Sequence, residues 1–192
     1  MTRTASLLAA IALLGGGGCG REQARTPTEV TAQLQPQALA SSAQTAAVNQ
    51  DLATLRQVTA SFHNFAKATA AGWSTQITPC MEGSEGGMGF HYGNVALIDA
   101  TARVEAPELL LYEPERNGEL RLVAVEYIIP YTARSRSATP PVLFGRAFKQ
   151  NDGFQLWALH AWVWKDNPSG IFADWNPQVT CANAGAVSTM AH

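Results

Sequence analysis

The sequence predicts an α+β domain in which an antiparallel sheet or half-barrel packs against one long N-terminal helix and is stapled by a disulfide. Three observations carry that expectation. Leu52, Leu55, Val58, Phe62, Phe65 and Ala66 recur at intervals of three and four, which lays one apolar stripe along a helix. Beyond Trp73 the texture changes to apolar runs separated by turn residues, the pattern of strands. Cys80 and Cys181 stand far apart within this part of the chain. One helix followed by a run of strands argues for an antiparallel sheet covered by that helix.

Each element has its own local reason. Asp51 is placed to cap the start of the helix, and Gly72, after Ala70 and Ala71, to cap its end. His63 falls beside the apolar stripe and reads as a half-exposed histidine. A short strand covers Phe90 to Tyr92 or extends to Leu97. Two longer ones, Leu109 to Tyr112 and Leu120 to Ile129, flank a polar segment whose Asn117-Gly118 step is a strong reversal signal, so they form a hairpin. Another strand runs from Phe154 to Trp164. Between them, Tyr131 to Pro141 has the Ser, Arg and Pro content of a loop, and the tail from Asn167 to Pro177 carries two Asn-Pro steps and Gly170. Leu122 and Ala124 alternate with Val123 and Val125, so the long strand is apolar on both faces. The helix can cover one face; closure into a half-barrel, or the tryptophan-rich tail, can cover the other.

Residues 1–18 read as an export signal. Arg3 is followed by an apolar run from Ala5 to Leu14, too short for a permanent span, which needs roughly 20 residues, but suited to a signal h-region. The small residues before Cys19 resemble the lipobox of bacterial lipoproteins, although Gly16 stands where that motif usually carries Leu. The resemblance implies acylation of Cys19 and a membrane anchor in the bacterial cell envelope. Cleavage by an ordinary signal peptidase, giving a secreted or periplasmic protein, is the alternative. Residues 19–45 are poor in large apolar groups and read as a flexible, lipid-anchored tether, about 80 Å long if fully extended.

Residues 46–192 are near the usual size of a single domain. The net charge of -2 provides no basic footprint for nucleic acid. With Cys19 assigned to the lipid, Cys80 and Cys181 remain as a pair in an oxidising compartment, and a bridge between them is expected. Two free buried thiols are the other reading. Neither cysteine has a second cysteine or a histidine at zinc-ribbon spacing.

Three ionisable residues interrupt the apolar strands: His91 between Phe90 and Tyr92, Glu126 after Val125, and His160 after Leu159. A carboxylate in such a strand costs several kcal/mol unless it is paired, protonated or metal-bound. Two imidazoles and one carboxylate form a set that binds Zn, Fe or Cu and leaves coordination positions open. The same residues could instead line a metal-free polar pocket for a small-molecule ligand, or form a structural network that only specifies the fold, as in a non-enzymatic envelope protein. Were the site catalytic, a metal-activated water with Glu126 or a histidine as proton acceptor is the simplest mechanism. Met81 and Met88, just before His91, would favour copper but are more commonly core residues. Tryptophans 73, 157, 162, 164 and 175 could line a pocket or fill the core, and the core is the commoner use. No Gly-x-Ser-x-Gly elbow supports a serine hydrolase, and Asn167-Pro168-Ser169-Gly170 reads as a turn.

Several segments together resemble a family of uncharacterised bacterial exported proteins with no assigned activity. They are the run from Glu85 to Tyr92, Leu110 to Pro114, Val125-Glu126-Tyr127, Leu143-Phe144-Gly145, and the stretch from Leu159 through Asn167-Pro168-Ser169-Gly170 and Trp175-Asn176-Pro177 to Cys181. The resemblance covers about Leu52 to Cys181. It implies that His91, Glu126, His160 and both cysteines fall inside family motifs, and it names no reaction.

Overall fold

A computed structural model of the chain describes residues 27–187, and side chains from residue 40 onward. Residues 1–18, expected as an export signal, and the acylation candidate Cys19 lie outside the described residues. The chain divides into two units at Leu39/Ala40. Of the first, only the beginning of helix α1 is described; everything below concerns the second.

Helix α1 spans Pro27–Thr59. It therefore starts well before Asp51, which lies inside it and caps nothing, and residues 27–45, expected as flexible tether, are helical. That segment has few large apolar residues, Val30, Leu34 and Leu39, and is rich in Ala and Gln, whose intrinsic helix preference does not depend on burial. After Thr59 the chain tightens into a 3-10 turn at Ala60–His63 and restarts as α2, Phe65–Ala70. Asn64 caps α2 by accepting the Lys67 N–H at 3.1 Å. This break shifts the phase of the stripe, so Ala68 rather than Ala66 is buried. Gly72 ends the helix as expected: at φ 111° it lets Trp73 N–H reach the Ala68 carbonyl at 3.0 Å.

The strands are β1 (Thr75–Gly83), β2 (Gly86–Gly93), β3 (Leu109–Pro114), β4 (Leu120–Pro130), β5 (Val142–Leu143), β6 (Arg146–Ala147), β7 (Lys149–Asn151) and β8 (Leu156–Ala161). Six of them form one curled antiparallel half-barrel in the order β1-β2-β3-β4-β8-β7, and β5 and β6 make a separate ribbon. The β3–β4 hairpin turns at Gly118 as the sequence indicates. Strand β1 has no counterpart in the sequence reading, because Pro79 and its polar neighbours hide it. It lies at a sheet edge, where a proline costs no ladder hydrogen bond. Strand β8 stops at Ala161 instead of Trp164, since Trp162 N–H turns away to the Ile171 carbonyl.

Both faces of the sheet are covered. On one, Leu52, Leu55 and Ala68 from the helices pack with Leu110, Tyr112, Leu122, Val125 and Tyr127. On the other, Val179, Trp175 and Trp162 from the tail pack with Met88, Leu111, Val123, Ala124 and Ile128. A bulge at Val123 separates the two sets: Leu111 pairs with Ala124 and Tyr112 with Leu122, so the alternation restarts and Glu126 lands on the tail side.

The tail is fixed at several points. Cys80 and Cys181 form the expected disulfide, with Cα atoms 5.8 Å apart. Glu82 accepts the Cys181 N–H at 2.8 Å. Buried Glu113 accepts from Lys165 Nζ at 2.6 Å and from Thr180 N–H at 3.1 Å. Gly87 and Asn176 exchange both backbone hydrogen bonds at 3.0 Å. Next to them Gly86 has φ 119°, and any side chain there would collide with the Asn176 backbone.

Candidate metal centre

Strand register brings the three interrupting residues together. His91 pairs with Leu111, Leu109 pairs with Glu126, and Glu126 pairs with His160. Directly opposed residues share a face, as do residues two apart, so all three side chains lie on the tail side of the sheet. They are buried, and their donor atoms all lie within 4.8 Å of one another. This group could hold a metal ion.

The three groups meet at distances longer than hydrogen bonds. His91 Nε2 is 3.5 Å from Glu126 Oε2, and His160 Nε2 is 3.7 Å from Glu126 Oε1. Both exceed the 2.7–3.2 Å usual for hydrogen bonds of this kind. They approach the separation, roughly 3.3 Å, of two donors on a tetrahedral ion with bonds of about 2.0–2.1 Å. Each imidazole turns its other nitrogen away from Glu126. His91 Nδ1 lies 2.8 Å from the Thr78 hydroxyl, and His160 Nδ1 lies 3.8 Å from Asp174 Oδ1. An outer hydroxyl or carboxylate behind the free nitrogen is the usual support of a metal-bound histidine. Both ring nitrogens of His160 are buried without a hydrogen-bond partner among the described residues.

Burial sets the electrostatics. It pushes the Glu126 carboxyl up to about 8, and the charges of Asp174 and Glu108 add to the effect. Burial also holds His91 down to about 3, helped by His160 and opposed by the Gly89 backbone. His160 is likewise lowered to about 3 by burial, with Lys149 contributing. Near neutral pH both imidazoles are thus neutral, each with one nitrogen lone pair, and a divalent ion bound there would displace the Glu126 proton and supply a counter-charge to its carboxylate.

A cavity of about 410 Å³ opens from this group. Its floor is His91, Glu126 and His160, its wall includes Met88, Leu109, Ile128 and Trp175, and its mouth carries exposed Lys149 and Asp152. Asp174, at the same mouth, holds Lys149 Nζ at 2.8 Å. Met88 is buried in the tail-side core with Met81 packed against it, and both also line the cavity. Of the five tryptophans only Trp175 lines it, while Trp73, Trp157 and Trp162 are buried with their indole N–H groups on backbone carbonyls. No residue of the 131–141 loop is among those lining it, although Arg136 reaches Asp152 at the mouth. His63 is exposed and meets Trp164 edge-on at 4.4 Å, away from this cavity. The Asn167 to Gly170 segment is a turn, closed by Gly170 N–H on the Asn167 carbonyl at 2.9 Å.

Thr78, Asp174 and Glu108 are absent from the sequence reading. Thr78 sits on the unread strand β1, and Asp174 is one acid in an irregular tail, so neither has a local signal. Glu108 is fully buried beside Leu109, with Oε2 accepting the Ile128 N–H at 3.2 Å and Oε1 unpartnered. A charge at the mouth of an apolar strand was its one visible mark.

No protein-family model, no curated protein and no solved structure matches this chain.

Proposed function

We propose that the chain is an exported, membrane-tethered protein that binds one divalent transition ion, Zn, Fe or Cu, through His91 Nε2, His160 Nε2 and the Glu126 carboxylate, with an open position facing the cavity. The observation that carries this reading is the shared carboxylate: two buried imidazoles each aim Nε2 at a different oxygen of Glu126, at ligand rather than hydrogen-bond spacing. The unpartnered nitrogens of His160 favour it over a structural network, in which buried polar atoms are ordinarily satisfied. The donor set suits zinc sites of the two-histidine, one-glutamate kind and open iron sites equally.

The address rests on two supports of unequal reach. The Cys80–Cys181 disulfide fits an oxidising, non-cytoplasmic location. No helix among the described residues is long and apolar enough to cross a membrane. Attachment through an acylated Cys19 follows from the lipobox resemblance, and kinship with the uncharacterised exported proteins follows from the motifs quoted above. Membrane fractionation of wild type against Cys19→Ser tests the anchor, with release of the variant as the expected result.

Elemental mass spectrometry tests the centre, on protein purified without a metal-binding tag. About one equivalent of ion in the wild type, lost in His91→Ala and in His160→Ala with the fold retained, is the expected outcome. Protein that stays metal-free after dialysis against zinc, copper and iron would overturn it and leave the structural network in place.

A further inference from the structure

Resting on that metal reading, the cavity specifies the class of molecule that completes the centre. Exposure falls steadily inward. The side chains of Lys149 and Asp174 at the mouth are 57% and 40% exposed, and those of His160 and Glu126 at the floor only 4% and 7%. Between them the wall is apolar, formed by Met88, Leu109, Ile128, Leu156, Ala158 and Trp175. A volume of about 410 Å³ equals on the order of a dozen waters at about 30 Å³ each, room for a molecule of roughly ten non-hydrogen atoms.

Charge then selects the head group. Two neutral imidazoles and one carboxylate leave a divalent ion with a net charge of +1 at the bottom of a low-dielectric pocket. Lys149 and Asp174 pair at the mouth, 2.8 Å apart, so their opposite charges, which both reach the floor, largely offset each other there. A ligand with one anionic oxygen head removes that residual charge, and the wall solvates an apolar body. We infer that the centre takes a small monocarboxylate with an apolar chain or ring, its carboxylate on the ion and its body along the Leu109, Ile128 and Trp175 wall.

The test uses Co(II), whose visible absorption reports its coordination, added to the purified protein. Acetate, butyrate, hexanoate and octanoate are then titrated, with hexanol as the chain without a charged head. The expected result is a spectral change with each carboxylate, tighter by roughly fourfold per added methylene until the wall is filled, and none with hexanol. Co(II) uptake with no carboxylate response, or with acetate equal to octanoate, overturns the ligand class while the metal centre stands. Failure to take up Co(II) overturns both.

Discussion

Glu126 and His160 face each other across the β4–β8 ladder, and yet they stand 3.7 Å apart at their nearest polar atoms instead of closing a hydrogen bond. Adjacent strands hold the two backbones side by side, and the side chains stop short of closing the gap. A third donor, His91, reaches the same carboxylate from two strands away. The three groups enclose a gap that could hold a metal ion.

Asp174 Oδ1 lies 3.8 Å from the outer nitrogen of His160, beyond hydrogen-bond length but close enough for its charge to act on the ring. Asp174→Asn keeps the shape but removes the charge behind the ring, and the affinity for Zn is expected to fall about 10–100-fold. Competition with a chromogenic chelator measures this. Thr78→Val should act in the same direction through His91, and unchanged affinity in both variants would assign the two residues to the fold alone.

The metal-free protein should be most stable in mildly acidic solution. Glu126 is raised to about 8 in the folded state, so its contribution is fully present below the ordinary carboxylate range and is lost as pH rises towards 8. Glu108, also pushed up to about 8 chiefly by burial, adds to that loss. His91 and His160 are lowered to about 3, so their contribution is present above about 6.5 and is lost as pH falls towards 3. Urea denaturation across this range should therefore show both arms, and Glu126→Gln should make the alkaline one shallower, leaving the share of Glu108. An unchanged alkaline arm in that variant would contradict the assignment.

Reducing the disulfide should cost on the order of 2–5 kcal/mol, because the bridge closes a loop of 101 residues in sequence separation. Tail residues Asp174 and Trp175 border the cavity, so metal affinity is expected to fall with it. Denaturation and zinc binding, each with and without reductant, read the two effects. Loss of stability without loss of affinity would show that Asn176 and Glu113 hold the tail unaided.

Gly86→Ala is expected to destabilise the protein by about 1–3 kcal/mol. The added carbon meets the Asn176 backbone, and φ 119° is unfavourable for any residue with a side chain. Thermal unfolding measures the change. A wild-type midpoint in this variant would mean that the tail can shift at little cost.

Much of this architecture is legible locally. The 3.6-residue stripe, the Asn117-Gly118 reversal and the two-faced apolar strands are short-range patterns, and the helix, the hairpin and the need to cover both sheet faces follow from them. Asp51 misled because an N-cap residue type is found inside helices too, and the segment before it, poor in large apolar residues, has no stripe to announce its helix. Strand β1 escaped because a sheet edge tolerates the polar residues and the proline that disguise it.

Sequence alone determined that His91, Glu126 and His160 needed partners, since desolvation makes a polar group in an apolar strand costly wherever the strand lies. It could not determine that each would be the others' partner. That depends on strand order, on register, and on the single extra residue at Val123 that turns Glu126 toward the tail, and a shift of one residue would have sent the carboxylate to the helix side. Thr78 and Asp174 belong wholly to the tertiary structure, because they reach the two histidines from an edge strand and an irregular tail that only folding brings within range.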